Sequence, residues 1–232
     1  MAYDDSFLAS FSEDFVELPQ YKAASTSTID FDGLLSRPLK LHEDLKGGCG
    51  GQLWPAGMVL SRYLLRQHKH DLKGCSIVEL GAGGGLVGLA VALGCDISAS
   101  EKQPLYITDQ EPMFALMQQN TALNHLSARV KPLIYDWGTA PPADIPAPPD
   151  VILAADCVYF EPAFPLLQKT LEDLIGPNTV CYFCFKKRRR ADLHFVKAIK
   201  KTFDVQPVAD DPDKDAYGRE NIFLFKITQR KN

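Results

Sequence analysis

The chain has 232 residues, enough for one large α/β domain or two small ones. Hydrophobic residues make up 46% and charged residues 23%, so a sizeable core can form. A net charge of −4 gives no global reason to expect nucleic acid as the main ligand, and no apolar run is long enough to span a bilayer.

In chain order, residues 1–45 read as a weakly ordered N-terminal extension. "MAYDDSFLASFSEDF" is acidic and lacks the basic start and apolar run of a signal peptide; "AASTST" is polar, and "RPLKLHE" is a candidate strand. Residues 46–232 read as the folded domain. "GGCGGQLWPAG" is a flexible loop that places Pro55 in the first turn of a helix, and "MVLSRYLLRQ" continues at helical spacing. "HKH", His68 to His70, reads as a solvated helix end suited to the negative pole of the helix dipole.

Strands and helices then alternate. "CSIVEL", "PLYITD", "RVKPLIYDW", "VILAAD" and "TVCYFCF" read as strands, with helices at "GLVGLAVAL", "EPMFALMQQNTAL", "AFPLLQKTLEDLI" and "ADLHFVKAIKKTF" between or after them. "PPADIPAPPD" is a Pro-rich loop. "VQPVA" and "NIFLFKI" read as closing strands joined by the acidic turn "DDPDKDAYG". The alternation predicts a mostly parallel, twisted α/β sheet with helices on both faces, and the short last connection predicts one antiparallel strand. Ligands of such sheets bind beyond the carboxyl ends of the strands. Asp109, Trp137 and Asp156 all fall at those ends.

The six cysteines, Cys49, Cys75, Cys95, Cys157, Cys181 and Cys184, lie scattered in apolar contexts and read as reduced core thiols. "CYFC" spells C-x-x-C inside a strand without a second pair, so neither zinc nor a disulfide is expected.

"VELGAGGGLVGLA" follows a strand and opens a helix. Such a loop can cradle a dinucleotide pyrophosphate, and a literal G-x-G-x-x-G exists at Gly83, Gly85 and Gly88. Its register is poor, because the turn should begin at Gly81 and the third glycine would then fall at Leu86. Glu79-x-Gly81-x-Gly83-x-Gly85 fits better and resembles motif I of the class I S-adenosylmethionine-dependent methyltransferases. Asp109 at the next strand end offers two carboxylate oxygens to a ribose, and Trp137 an indole to adenine. Taken singly, Asp109 and Asp156 also read as helix N-caps, and Trp137 as a core aromatic.

"DCVY" after an apolar strand resembles the Asp-x-x-Tyr motif of the non-histone protein-lysine methyltransferases, the methyltransferase-like 21 group and its relatives. "GGQLWPAG", "LGAGGGLVGL", "LAADCVYFEPAFPLLQKTLEDL" and "KKRRRADLHFVKAIKKTFDV" resemble fungal members of that family that methylate an elongation factor. The similarity covers roughly residues 48–228. It implies a seven-stranded Rossmann-like methyltransferase domain over 46–232 with S-adenosylmethionine as cofactor and no metal. By position, Trp54, Glu79, Gly81, Ala82 and Gly83 would contact the cofactor. Asp109 would hold its ribose, Trp137 would pack near adenine and Ala155 would lie against it. Asp156 and Tyr159 would face a substrate lysine. The implied partner is translation elongation factor 1A, met by a cytoplasmic monomer. The alternatives are another protein, a small molecule or RNA. One departure is Gly84, where the family often carries a hydroxyl residue. The run Lys186 to Arg190 reads as a solvated basic stretch, a nuclear localisation signal that would give a nuclear pool, or a rim for an acidic substrate.

Overall fold

The computed structural model describes residues 24–45, 49–99 and 103–230. Nine strands occur among them. A two-stranded sheet pairs β1 (Ser25–Ile29) with β2 (Leu39–Glu43). The main sheet holds β3 (Ile77–Leu80), β4 (Leu105–Asp109), β5 (Val130–Ile134), β6 (Val151–Ala155), β7 (Val180–Lys186), β8 (Phe203–Pro207) and β9 (Ile222–Gln229), in the order β5-β4-β3-β6-β7-β9-β8. β9 alone runs antiparallel to its neighbours, as expected from the short last connection. Pro132 fits in β5 because that strand lies at the sheet edge, where one row of backbone groups has no ladder partner.

The helices are α1 (Pro55–Gln67), α2 (Leu86–Gly94), α3 (Glu111–Leu123), α4 (Phe164–Leu174), α5 (Arg190–Ile199) and α6 (Lys214–Arg219). The sheet's period of two divides the core. Ile77, Leu153 and Cys184 face one side with Leu60 and Leu64 of α1 and Val87 of α2. Val78, Ile152 and Phe183 face the other with Leu167 of α4 and Phe195 of α5. Leu60 and Leu64 are fully buried, worth roughly 1.5–3 kcal/mol each.

Three expectations need correction. The strand expected in "RPLKLHE" forms as β2 but pairs with an unexpected strand, β1, and the acidic turn "DDPDKDAYG" contains the short helix α6. His68 is not a solvated helix end: its ring lies 4.9 Å from that of Tyr182, and Nε2 is 3.1 Å from the Tyr63 hydroxyl. The reason for the first lies on α3. Asn120 Oδ1 accepts from the His42 amide at 2.7 Å and its Nδ2 donates to the His42 carbonyl at 3.1 Å. Asn124 does the same with Lys40, at 2.9 and 2.6 Å. Four residues along a helix advance about 6 Å and two along a strand about 6.8 Å, so two asparagines can pair with β2 much as a neighbouring strand would. The expectations for residues 1–23 lie outside the described residues.

The two cysteines of "CYFC" face opposite sides of the sheet, Cys181 in one core and Cys184 in the other, so they cannot pair within the chain. Cys75, Cys95, Cys157, Cys181 and Cys184 are all free thiols.

Candidate active site

The loop from β3 to α2 carries three glycines with positive φ: Gly81 (61°), Gly83 (55°) and Gly85 (88°). At Gly83 the need for glycine is also spatial, because a Cβ there would stand 2.3 Å from the carbonyl oxygen of Gly50. The stretch before Trp54 is therefore packed onto the glycine loop. Ala82 donates its N–H to the Thr108 carbonyl at 2.9 Å, and Asn120 Nδ2 donates to the Gly84 carbonyl at 2.9 Å.

Asp109, the last residue of β4, grips this loop. Its Oδ2 accepts from the Gly83 amide and its Oδ1 from the Gln110 amide, each at 2.7 Å. Each oxygen keeps a second acceptor site, which suits a vicinal diol. Burial pushes the carboxyl above its ordinary range, against the pull of those two amides. Asp109 does not cap the helix after it; the N-cap is Gln110.

Trp137 follows the end of β5 and packs on the loop from the other side, where a Cβ at Gly81 would come within 2.9 Å of its ring. Cys157 lies at the same turn and donates from Sγ to the Leu80 carbonyl at 3.3 Å. A diol acceptor, an indole and a tight glycine backbone thus converge at the carboxyl ends of β3, β4 and β5. These groups fit a nucleoside cofactor such as S-adenosylmethionine.

Glu79 is placed differently from the other sequence-predicted residues. It is 2% exposed, and its Oε2 accepts the Gly88 amide of α2 at 2.7 Å. Its carboxyl group ties down the helix start behind the loop through that amide. Burial raises its carboxyl from 4.5 to about 8, the Val87 and Gly88 amides pull it down, and Asp109 adds to the rise. The folded chain therefore holds this proton more tightly than the unfolded chain. The contribution is fully present below the unfolded value of 4.5 and is lost as pH rises through about 8. Glu79→Gln, neutral at every pH, should show a weaker loss of stability than the parent between pH 5 and 8 in urea titrations. Equal pH slopes for the two chains would show that Glu79 does not carry this linkage.

At the end of β6, Ala155 is half-buried and Asp156 is 7% exposed, with φ of 56°. Asp156 is not a helix cap: the next short helix is capped by Phe160, and α4 by Ala163. Its carboxylate instead meets Arg188. Arg188 Nη1 and Nη2 donate to Oδ1 and Oδ2, each at 3.0 Å, and the Lys186 amide donates to Oδ1 at 3.0 Å. The Arg188 guanidinium also lies 4.9 Å from the ring centroid of Trp54, the N-cap residue just before α1. Tyr159 and Phe160 are 50% and 55% exposed on the rim, and Arg189 donates to the Tyr159 carbonyl.

The structure thus gathers Gly81, Ala82, Gly83, Asp109 and Trp137 at the carboxyl ends of β3, β4 and β5, and brings Trp54 and Asp156 together through Arg188 at the end of β6, with Ala155 beside Asp156 and Tyr159 exposed just after it. The pairing of Arg188 with Asp156 was missed in the sequence, as was the packing of Gly50 on Gly83. A signal for Arg188 existed: β6 and β7 are adjacent, and the basic run begins where β7 ends.

Residues 34–202 match the family model described as lysine methyltransferase. The protein-lysine N-methyltransferase EFM6 of Saccharomyces cerevisiae is 34% identical, over 97% of this chain and 100% of its own length. Protein N-lysine methyltransferase METTL21A of Danio rerio is 33% identical over 93% of this chain and 94% of its own. EEF1A lysine methyltransferase 3 of Mus musculus is 32% identical over 79% and 74% respectively. Among solved structures, the T. thermophilus 16S rRNA N2 G1207 methyltransferase RsmC, in complex with AdoMet and guanosine, matches with a TM-score of 0.60 at 16% identity. That match covers 93% of this chain and 52% of RsmC, and it establishes the fold alone.

Proposed function

The chain belongs to the lysine methyltransferase family and is an S-adenosylmethionine-dependent protein-lysine N-methyltransferase; from that premise we propose that it methylates a lysine of translation elongation factor 1A. The observation that carries the substrate is the similarity to EEF1A lysine methyltransferase 3, 32% identical over 79% of this chain. The cytoplasm, where that substrate works, is the proposed place of action.

The proposed division of labour follows the site. Gly81, Ala82, Gly83 and Trp54 line the cofactor, Asp109 accepts its ribose hydroxyls, Trp137 covers its adenine, and Ala155 lies against it. Glu79 acts from behind by fixing the start of α2. Asp156 and Tyr159 face the incoming lysine. S-adenosylmethionine supplies an electrophilic methyl group on a positively charged sulfur.

The chain's own task is to present a neutral amine. A lysine with a pKa near 10.4 is neutral in only about one molecule in a few thousand at pH 7. A site that fixes the nitrogen and lets its proton go gains both in orientation and in reactive population. Buried Asp156 can accept an N–H of the amine, while the half-exposed Tyr159 and Phe160 offer apolar surface to the lysine stem. RNA as substrate rests on the Lys186–Arg190 run. Two of its five cations are already engaged, Arg188 with Asp156 and Arg189 with the Tyr159 carbonyl and Asp192, so the run offers a phosphate backbone fewer charges than its sequence suggests.

The test is transfer of tritiated methyl from S-adenosylmethionine to purified elongation factor 1A, and in parallel to a lysate with and without nuclease. One labelled lysine on elongation factor 1A is expected. Label confined to another protein, or lost on nuclease treatment, would remove the proposed substrate.

A further inference from the structure

Asp156 is closely surrounded. An ionised carboxylate offers about four acceptor sites. On Oδ1, the Lys186 amide and Arg188 Nη1 fill both; on Oδ2, Arg188 Nη2 fills one. Among the described residues, one site remains, on Oδ2. The guanidinium is itself fixed. Arg188 Nη1 also donates to the Lys186 carbonyl at 3.2 Å, its backbone N–H donates to Asp192 Oδ2 at 2.7 Å, and its Cζ lies over the Trp54 ring, 4.9 Å from the centroid. The side chains of Arg188 and Asp156 are 22% and 6% exposed, so separating them would strand a nearly buried charge.

A bare carboxylate would serve this reaction poorly. Beside a lysine it favours the ammonium, which has no lone pair to give. A carboxylate already matched by a guanidinium exerts little net field on a third group, yet keeps its directional acceptor. We propose that Arg188 is a positioning residue for the methyl acceptor: it cancels the charge of Asp156 and leaves one lone pair of Oδ2 to hold a single N–H of the neutral lysine amine. The ammonium's surplus proton passes to water, because the remaining acceptor site on Asp156 is used to hold the amine. The inference rests on the reading of Asp156 as the residue facing the substrate lysine.

The other groups around the pair do not replace this charge balance. Cys157, beside Asp156 in sequence, and Cys184 on β7 are thiols that burial pushes well up, so they stay neutral. Asp192 on α5 holds the Arg188 and Arg189 amides, with the Arg189 side chain 3.6 Å from its other oxygen. Asp211, before α6, adds to the rise of the Cys184 thiol, after burial and Asp156.

The experiment follows kcat against pH, at saturating acceptor and cofactor, for the parent chain, Arg188→Met, Asp156→Asn and the double variant, because kcat reports the ionisation of the bound amine. The acceptor is whichever protein the parent labels in a lysate, so the charge argument and the choice of elongation factor 1A fail separately. Each profile is normalised to its own plateau. Arg188→Met exposes the amine to an uncancelled carboxylate, and its acid limb should move up by roughly one pH unit or more. Asp156→Asn leaves the guanidinium uncancelled and should move the limb down. The double variant removes both charges and should return the limb to the parent position; it also avoids a stranded buried charge, should Arg188→Met not fold. Arg188→Lys, which keeps the charge but not the fork, should keep the parent limb at a reduced rate. Lower rates with unmoved limbs would overturn the inference and leave Asp156 facing the lysine. Parent rates and parent limbs in every variant would overturn that reading of Asp156 as well. A higher rate for Arg188→Met at all pH values would make Arg188 a blocking residue and likewise overturn the inference.

Discussion

Gly83→Ala should weaken S-adenosylmethionine binding by about tenfold to a hundredfold, measured by calorimetry. Two costs add. An L side chain at φ of 55° costs roughly 1–2 kcal/mol, and the new Cβ would lie 2.3 Å from the Gly50 carbonyl oxygen. That oxygen belongs to backbone, so no rotamer change relieves the contact, and either the loop or the 49–51 segment must move. Movement of the loop would also pull the Gly83 amide away from Asp109, where it now donates at 2.7 Å. Gly33→Ala is the matched control. It has a φ of 81° and open space around its Cβ, so it pays only the backbone cost, far from the cleft. Equal cofactor affinity in Gly83→Ala and the parent would show that the close approach of Gly50 plays no part in holding the loop. Equal losses in Gly83→Ala and Gly33→Ala would trace the effect to general destabilisation.

Much of this site was legible because its signals are local. A strand followed by alternating glycines needs only a few neighbouring residues to define its turn, and Gly81, Gly83 and Gly85 do adopt the positive φ that the pattern implies. Short apolar runs that break at a polar residue show where the strands end, and therefore that Asp109, Trp137 and Asp156 gather at one edge. What could not be read were pairings across long sequence distances. The segment Ser25–Ile29 is polar and half-exposed, with no core of its own to announce it as a strand. Its partner β2 is fixed by Asn120 and Asn124, about 80 residues downstream. "GGCGG" has the composition of a free loop, yet Gly50 is pressed between Gly83 and Met113. Arg188 sits in a run of five basic residues, and composition cannot say which of five cations is withdrawn from solvent. Tyr159, facing the substrate lysine, could either orient Asp156 or pack on the lysine stem. The carboxylate's contacts with Lys186 and Arg188, together with the half-exposed ring, favour the second role.

Asp156→Asn should leave cofactor binding near normal and reduce single-turnover methylation by about a hundredfold, equivalent to about 2.7 kcal/mol of barrier. Asparagine is the appropriate substitution for two reasons. Asp156 has φ of 56°, a conformation that asparagine tolerates better than alanine would, so the turn after β6 should persist. The amide also retains one oxygen that can accept from the Lys186 N–H, which now donates at 3.0 Å. What it loses is the second acceptor oxygen, and with it the bidentate hold on Arg188. Its NH2 group would face a guanidinium nitrogen, donor against donor, so the guanidinium must rotate or leave. The amine then meets neither an oriented acceptor nor a balanced charge, and the orientation gained from a fixed acceptor is lost. Asp109 and the Gly81–Gly83 turn lie at the ends of other strands, which is why cofactor affinity should hold. Tyr159→Phe should cost less than tenfold, because a half-exposed ring that packs against the lysine stem keeps most of that contact without its hydroxyl. Methylation by Asp156→Asn at the parent rate would reduce the aspartate to a partner that fixes Arg188, and the acceptor for the lysine amine would have to be sought elsewhere on the rim.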